Sequence, residues 1–410
     1  MSQGQIRRFP NRDTPPHIAT LILTAGLSAA ATNVFLPSLP AMAAHYGTDY
    51  RVMQLSVTLF LGMNAILQIF IGPLSDRYGR RPVLLVATAL FVLFSAAALV
   101  APTAQTFLLC RMGQSVVVAG MVLSRAIVRD MVPEDEAASM IGYVTMGMAL
   151  VPMLAPVLGG ALDQLFGWQA NFVFLVLAGL GTLWLLWADL GETALPREGG
   201  PGDQFRDAPE LLRSPRFWGY NFAAMFGAGA FFAYLGGAPY VGSTVFGLSP
   251  SLLGLLFGAP ALGYMAGNAL SGLYSRRYGV DAMILTGTLL TSSGLLAALI
   301  LSYGGLHGAP VFFGFAIFIG LGNGLVLPNA TAGMLSVRPK LAGTASGLGG
   351  AMMIGGGAIL SALAGAVLVP GAGAFPLLWT MLISSVLSVV AILYVRQRAR
   401  RLRRVEDFTP

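Results

Sequence analysis

Gly72-Pro-Leu-Ser-Asp76-Arg77-Tyr-Gly79 is matched without a gap, 200 residues further on, by Gly272-Leu-Tyr-Ser-Arg-Arg-Tyr-Gly279. Gly, Ser, Arg, Tyr and Gly recur in register, five positions of eight. Each segment is a short polar interruption between the second and third long apolar stretches of its half of the chain. A repeat at that place predicts a duplicated membrane architecture. In such a plan two halves are related by an axis along the membrane normal, and ligands bind near the midplane between them.

Outward from this pair, apolar stretches follow one another at membrane length. A bilayer core takes about 20 apolar residues per helix. Spans are expected near 18–41, 52–72, 82–101, 104–129, 138–163 and 168–188, and again near 217–240, 251–273, 282–303, 309–335, 342–369 and 375–396. Between the sets lies a polar stretch, 189–216, holding Pro196, Gly199, Gly200, Pro201, Gly202 and Pro209 among mixed charges. That is linker composition. The expectation is an all-α membrane protein of twelve transmembrane helices in two pseudo-symmetric six-helix bundles, 1–188 and 217–396. A cytoplasmic linker, 189–216, joins them, and a basic tail, 397–410, follows.

Composition agrees. Hydrophobic residues make up 56% of 410 and charged residues 10%, against about a quarter charged in soluble domains. So few charges could not cover a soluble surface; lipid can cover it instead. Cys110 is the single cysteine, which excludes an internal disulfide framework and a zinc site of several thiolates. His17, His45 and His307 show no ligand spacing, so neither metal nor cofactor is expected. No GKS or GKT loop exists to drive an ATP pump. No His/Asp/Glu cluster or strained Ser motif inside a span supports a membrane enzyme.

The net charge of +7 would suit nucleic acid, but its placement suits membrane topology. With the N-terminus inside, Arg77, Arg80, Arg81, Arg125, Arg129, Arg197, Arg206, Arg213, Arg216, Arg276, Arg277, Arg338 and Lys340 fall on cytoplasmic loops or helix ends. Arg7, Arg8, Arg12 and the tail Arg396–Arg404 join them. Only Arg51 falls outside and only Arg111 sits well inside a span, as the positive-inside rule requires. The tail then contacts anionic lipid headgroups rather than nucleic acid. The first apolar stretch continues through Val34–Ala44, longer than the 7–15 residues of a typical signal-peptide core, so it is read as an uncleaved span. The expected setting is a bacterial inner membrane with both termini cytoplasmic.

The first repeat continues as Gly79-Arg80-Arg81-Pro82, and the whole segment from Gly72 resembles the signature loop between spans 2 and 3 of the major facilitator superfamily. The glycines permit a tight connection and the arginines hold the loop at the headgroups. The resemblance implies that Asp76 caps the N-terminus of span 11, near Ala342, and latches the cytoplasmic side. On span 4, Arg111-Met-Gly-Gln114-Ser115 resembles a second family motif, with Ser115 where glycine is usual. On span 5, Gly147, Pro152 and Ala155-Pro156-Val-Leu-Gly159-Gly160 resemble the helix-bending motif of drug–proton antiporters, with alanine before the proline. Thr32-Asn33-Val-Phe-Leu36-Pro37-Ser-Leu-Pro40, Ser124-Arg125-Ala-Ile-Val-Arg129-Asp130 and Pro328-Asn329-Ala-Thr-Ala332 are similar to segments of the Bcr/CflA-type drug exporters. The resemblance implies export of amphipathic compounds in exchange for protons by a monomer. One departure matters: the subgroup usually carries an aspartate where this chain has Asn33.

Depth points to the same residues. At 1.5 Å per residue, Asn33 and Arg111 lie roughly 12 and 10 Å below the outer ends of their spans. An arginine inside a span is a functional-site candidate, unless it snorkels to the surface. Asn64 and Gln68 on span 2 and Tyr264 and Asn268 on span 8 present polar groups one turn apart. They line a central cavity or bond between helices. Phe231, Phe232 and Tyr234 on span 7 offer aromatic walls to apolar compounds or face lipid. Asp49 and Asp163 fall at the outer edge; Asp76, Asp130, Glu134, Asp135, Glu136 and Asp281 fall at or outside the inner edge. No carboxylate is expected at mid-membrane, so proton coupling rests on the resemblance alone. The function expected is secondary transport of a small molecule. An exporter or facilitator of one physiological solute, a membrane enzyme and a non-transporting receptor are the alternatives.

Overall fold

The computed structural model describes residues 16–131, 134–193, 208–338 and 341–406. Arg7, Arg8, Arg12, Lys340 and most of the expected linker lie outside them. Among the described residues, eleven helical segments are long and apolar enough to cross a membrane, and a shorter apolar stretch, Leu154–Phe166, closes a further long helix. No strand occurs among the described residues. The chain forms two compact units, one of Met1–Pro201 with Pro250–Gly254 and one of Gly202–Ser249 with Leu255–Pro410.

In the first unit, span 1 is a helix broken by its own prolines. α1 (Ile18–Asn33) stops where Pro37 supplies no N–H to the Asn33 carbonyl, the bond a continuing helix would need. A 3-10 turn, Leu36–Ser38, leads into α2 (Leu39–His45). Span 2 is α3 (Tyr50–Tyr78), capped by the Asp49 side chain, which accepts from Arg51 N at 2.7 Å. Span 3 is α4 (Arg80–Leu99). Span 4 begins with a capping box of Thr103 and Thr106 at the start of α5 (Ala104–Gln114), tightens into a 3-10 turn at Ser115–Val117, and resumes as α6 (Val118–Met131). Spans 5 and 6 are α7 (Glu134–Phe166), with Pro152 and Pro156 inside it, and α8 (Gln169–Asp189). Leu21, Leu84, Leu123, Ile127 and Leu186 share one buried cluster that ties α1, α4, α6 and α8 together.

Two carboxylates close the same end of this unit. Asp189 is 1% exposed and accepts from His17 N at 2.8 Å and the Thr20 hydroxyl at 2.6 Å, capping α1. Glu192 accepts from Arg80 N at 2.8 Å and Arg81 N at 3.3 Å, capping α4. Both satisfy amides that a helix start leaves open and oppose its positive dipole end.

In the second unit, a five-residue helix, α9 (Ala208–Leu212), lies within the stretch expected as linker. Span 7 is α10 (Pro215–Tyr240), which widens into a π turn, Val241–Val245, just after Pro239. Span 8 is split at Gly258 into α11 (Pro250–Phe257) and α12 (Ala259–Tyr278). α13 (Val280–Tyr303), α14 (Ala309–Phe315) and α15 (Ile317–Val337) follow, then α16 (Ala342–Val367) and α17 (Phe375–Glu406). α17 thus runs ten residues past the expected end of span 12. Spans 8 and 10 meet on small residues: Gly263 and Gly267 lie against the backbone of Ile317 and Leu321, and Gly320 and Gly324 against that of Pro260 and Tyr264. Helices without a hydrophobic drive to associate in lipid gain contact by such close approach.

The repeat seen in sequence recurs as conformation. Gly79 and Gly279 have φ, ψ of 94°, 153° and 82°, 159°, a region open essentially to glycine alone. Each donates its N–H to the serine carbonyl four residues back, at 3.0 Å to Ser75 and 2.9 Å to Ser275. Arg77 lies over the Tyr78 ring at 5.2 Å and Arg277 over Tyr278 at 5.3 Å. Gly72 differs from expectation. It sits inside α3 with open space on its Cβ side, so Gly79 alone shapes the turn.

Candidate functional site

Arg111 is completely buried. Its guanidinium is sandwiched between Phe35 at 4.2 Å and Phe60 at 4.3 Å, ring centroids being the reference. Nη2 donates to the Ala31 carbonyl at 3.2 Å, and Nη1 donates to Gln114 Oε1. Gln114 Nε2 in turn donates to the Ser95 hydroxyl at 3.0 Å, which donates to the Phe91 carbonyl at 2.7 Å. Spans 1, 2, 3 and 4 are thereby joined through one cation. Full burial rules out a snorkelling arginine here.

What solvates this charge is unusual in holding no carboxylate. Two aromatic faces contribute about 0.5–2 kcal/mol each, more when water is excluded. Two oxygens accept the terminal nitrogens, while Arg111 Nε has no acceptor, a cost of about 1–3 kcal/mol. The knot therefore presents a fixed positive charge with one donor unspent. Its place is set by the local fold. Gln114 is the last residue of α5, and the 3-10 turn that follows, with Ser115 Oγ donating to the Met112 carbonyl at 2.6 Å, turns the helix just beyond it.

Asn33 is 4% exposed and ends α1 two residues beyond Ala31, so it shares the broken stretch of span 1 with the partner of Arg111. Its Nδ2 donates to the Ala29 carbonyl at 2.7 Å; Oδ1 has no donor. Thr32 donates to the Ser28 carbonyl at 3.1 Å. On α3, Asn64 Oδ1 and Gln68 Oε1, one turn apart, are also buried acceptors without a donor. Beside Phe35, at 5.9 Å, stands Phe172. It belongs to a group of rings with Tyr46, Phe107 and Trp168, whose neighbouring centroids are 5.2–6.1 Å apart. His45 packs on Trp168 at 5.3 Å.

The second unit holds the remaining expected residues apart from this knot in sequence and environment. Tyr234 is fully buried, donates to the Phe257 carbonyl at 3.2 Å and packs among Phe231, Phe257, Phe312 and Phe313. Asn268 returns its Nδ2 to the Tyr264 carbonyl at 3.0 Å on its own helix, and both side chains are half-buried.

The signature loop is a charge cluster centred on Arg80. This arginine is 7% exposed, pairs with Asp76 at 2.5 Å and with Asp130 at 3.1 Å, and donates to the Ser75 hydroxyl. Arg81 donates to the carbonyls of Leu190 at 2.8 Å and Trp187 at 3.4 Å. Arg77 and Arg129 are exposed. On α7, Gly159 and Gly160 are buried with Pro156, Pro152 is half-buried, and Gly147 lies in a stretch whose packing falls outside the described side chains. Phe35, Phe60, Ser95 and Glu192 were not foreseen. Nothing in the sequence distinguishes two stacking phenylalanines from the other 22 of 24.

The Major Facilitator Superfamily model matches residues 21–249 and 238–409. The chain is 32% identical over 352 residues to the uncharacterised MFS-type transporter YdgK of Bacillus subtilis (strain 168), covering 81% of this chain and 84% of that one. It is 27% identical over 395 residues to a bicyclomycin resistance protein homolog of Haemophilus influenzae, covering 94% and 97%. Among solved structures, a D-xylose–proton symporter superposes with a TM-score of 0.75 at 15% identity, over 92% of this chain and 96% of that one. A broken first span, a buried arginine on the fourth and a duplicated glycine turn thus stand in a chain whose whole length matches one family of transporters, and the protein belongs to the Major Facilitator Superfamily.

Proposed function

We propose that this transporter exports small amphipathic molecules, antibiotics among them, across a bacterial inner membrane in exchange for protons. Two six-helix bundles joined by the 189–216 linker would alternate access to the substrate, with both termini cytoplasmic and the protein a monomer. The observation that carries the reading is the Arg111 knot, a buried charge whose network, extended through Gln114, joins four spans. An intramembrane charge held at such cost marks a substrate or ion pathway. The bicyclomycin resistance protein homolog, similar over nearly the whole length of both chains, supports antibiotics as substrates.

The test is expression of the gene in a bacterium stripped of its own pumps, followed by a panel of drug-susceptibility measurements. Raised resistance to several unrelated amphipathic drugs is the expected result; unchanged susceptibility at confirmed membrane expression refutes it. A second reading, an exporter of one physiological solute without proton coupling, is favoured by Asn33, an amide where the subgroup this chain resembles usually has an aspartate. Resistance to a single compound, indifferent to the pH gradient, would support it.

A further inference from the structure

The break in span 1 packs against a second buried ionisable group, one that the Arg111 network does not use. Asp163 lies in the last turn of α7 and is 9% exposed. The hydroxyl of Ser38, in the 3-10 turn of span 1, lies beside its carboxylate. The same hydroxyl oxygen accepts from Asn171 Nδ2 at 2.9 Å, which leaves the hydroxyl hydrogen for Asp163. Asn171 is fully buried in the first turn of α8. Two acceptors remain without a donor, Asp163 Oδ2 and Asn171 Oδ1. Both side chains thus border one hydroxyl, that of Ser38. Gly159, one turn before Asp163, lets the α7 backbone run against the Val34 carbonyl. A Cβ there would strike that carbonyl and come within 3.1 Å of Asn171 Oδ1.

We propose that Asp163, beside Ser38 and Asn171, is the group that loads the coupling proton from the outer side. The inference rests on the reading of the chain as a proton antiporter. Ionised, Asp163 is a buried charge with one oxygen unsolvated, an arrangement that burial penalises. Protonated, Oδ2 becomes a donor in a cluster that lacks one, and the charge is gone. The proton adds to Oδ2 and leaves it as a proton, so no further reactant is needed. The two states differ in bonding at the break of span 1 and the start of span 6, which gives protonation a means to shift the balance between conformations.

Few other charges bear on this group. α1 has no ionisable side chain and neither has the 3-10 turn. α6 carries Arg125, Arg129 and Asp130 in its last two turns, α8 carries Asp189 at its far end, and α7 carries Glu134, Asp135 and Glu136 at its opposite end. His45 on α2 stacks on Trp168, and Arg111 lies behind Phe35.

Infrared difference spectra of the full-length protein in lipid, between mildly alkaline and mildly acidic pH, should show the carbonyl stretch of a buried carboxylic acid. Asp163→Asn should remove it and Asp163→Glu should move it. Persistence of the same band in Asp163→Asn overturns the proposal. In proteoliposomes with bicyclomycin as the probe, wild type should follow an imposed pH gradient. Asp163→Asn should lose at least tenfold of the gradient-driven flux while keeping downhill exchange, and Asp163→Glu should keep coupling. If wild type and Asp163→Asn follow the gradient equally, this inference fails and antiport stands. If wild type ignores the pH gradient, or follows a sodium gradient instead, the antiport reading fails and the inference with it.

Discussion

At the scale of single residues, Arg111 sets the terms. Replacing it with alanine leaves a void between two rings and strips the Gln114 and Ala31 oxygens of their donor, each worth about 1–3 kcal/mol when buried. Arg111→Ala should therefore abolish export and lower thermal stability. Arg111→Lys, which keeps the charge but loses the flat stacking surface and the fork of donors, should retain part of the export. Resistance assays at matched expression, with melting in detergent, check both; full export by Arg111→Ala would leave the residue a structural relic. Asn33→Asp should partly neutralise this charge, move the drug profile toward cations and make export more dependent on the pH gradient. Asn33, Arg111 and Gln114 were legible because polar side chains deep in apolar spans stand out. Asp163 was legible only as an edge carboxylate. Its burial comes from Ser38, more than a hundred residues back along the chain, and from Asn171 on the next span, and no local pattern announces that.

At the scale of elements, the two glycine turns offer an internal control. Gly79→Ala and Gly279→Ala force alanine into the same backbone region, at about 1–3 kcal/mol each. The Gly79 Cβ would also strike the Glu192 carboxylate, whereas the Gly279 Cβ meets open space. Gly79→Ala should thus lower the melting temperature more than Gly279→Ala, and equal losses would show that the Glu192 cap simply moves aside. Asp76→Asn weakens a 2.5 Å ion pair while Arg80 keeps Asp130 and Ser75. It should slow transport at normal protein level. An ion pair at the protein edge is worth about 0–1 kcal/mol, which shifts populations by up to about fivefold, and unchanged transport would reduce Asp76 to a surface charge. The span count was legible from hydropathy; the breaks at Pro37 and Pro239 fall inside stretches read as continuous spans, although the missing amides mark them. The break at Ser115–Val117 was not. It contains no proline and follows the bonds made by Arg111, Gln114 and Ser115.

At the scale of the whole molecule, the placement of basic residues predicts topology. Reporter fusions at Asp203 and after Pro410 should behave as cytoplasmic, and active periplasmic phosphatase at either site would overturn the six-plus-six arrangement. The duplication was legible in eight residues, and the conformations of Gly79 and Gly279 repeat it in three dimensions.

The ring group beside the broken span has an optical consequence for the intact protein. Of five tryptophans, Trp168 alone is buried, and it carries His45 against its indole at 5.3 Å. Emission from Trp168, isolated as the difference between wild type and Trp168→Phe, should change in His45→Gln, which takes the imidazole off the indole. The transporter thereby carries its own fluorescent indicator, five residues from Asp163, with which rearrangement at the break of span 1 can be followed without a label.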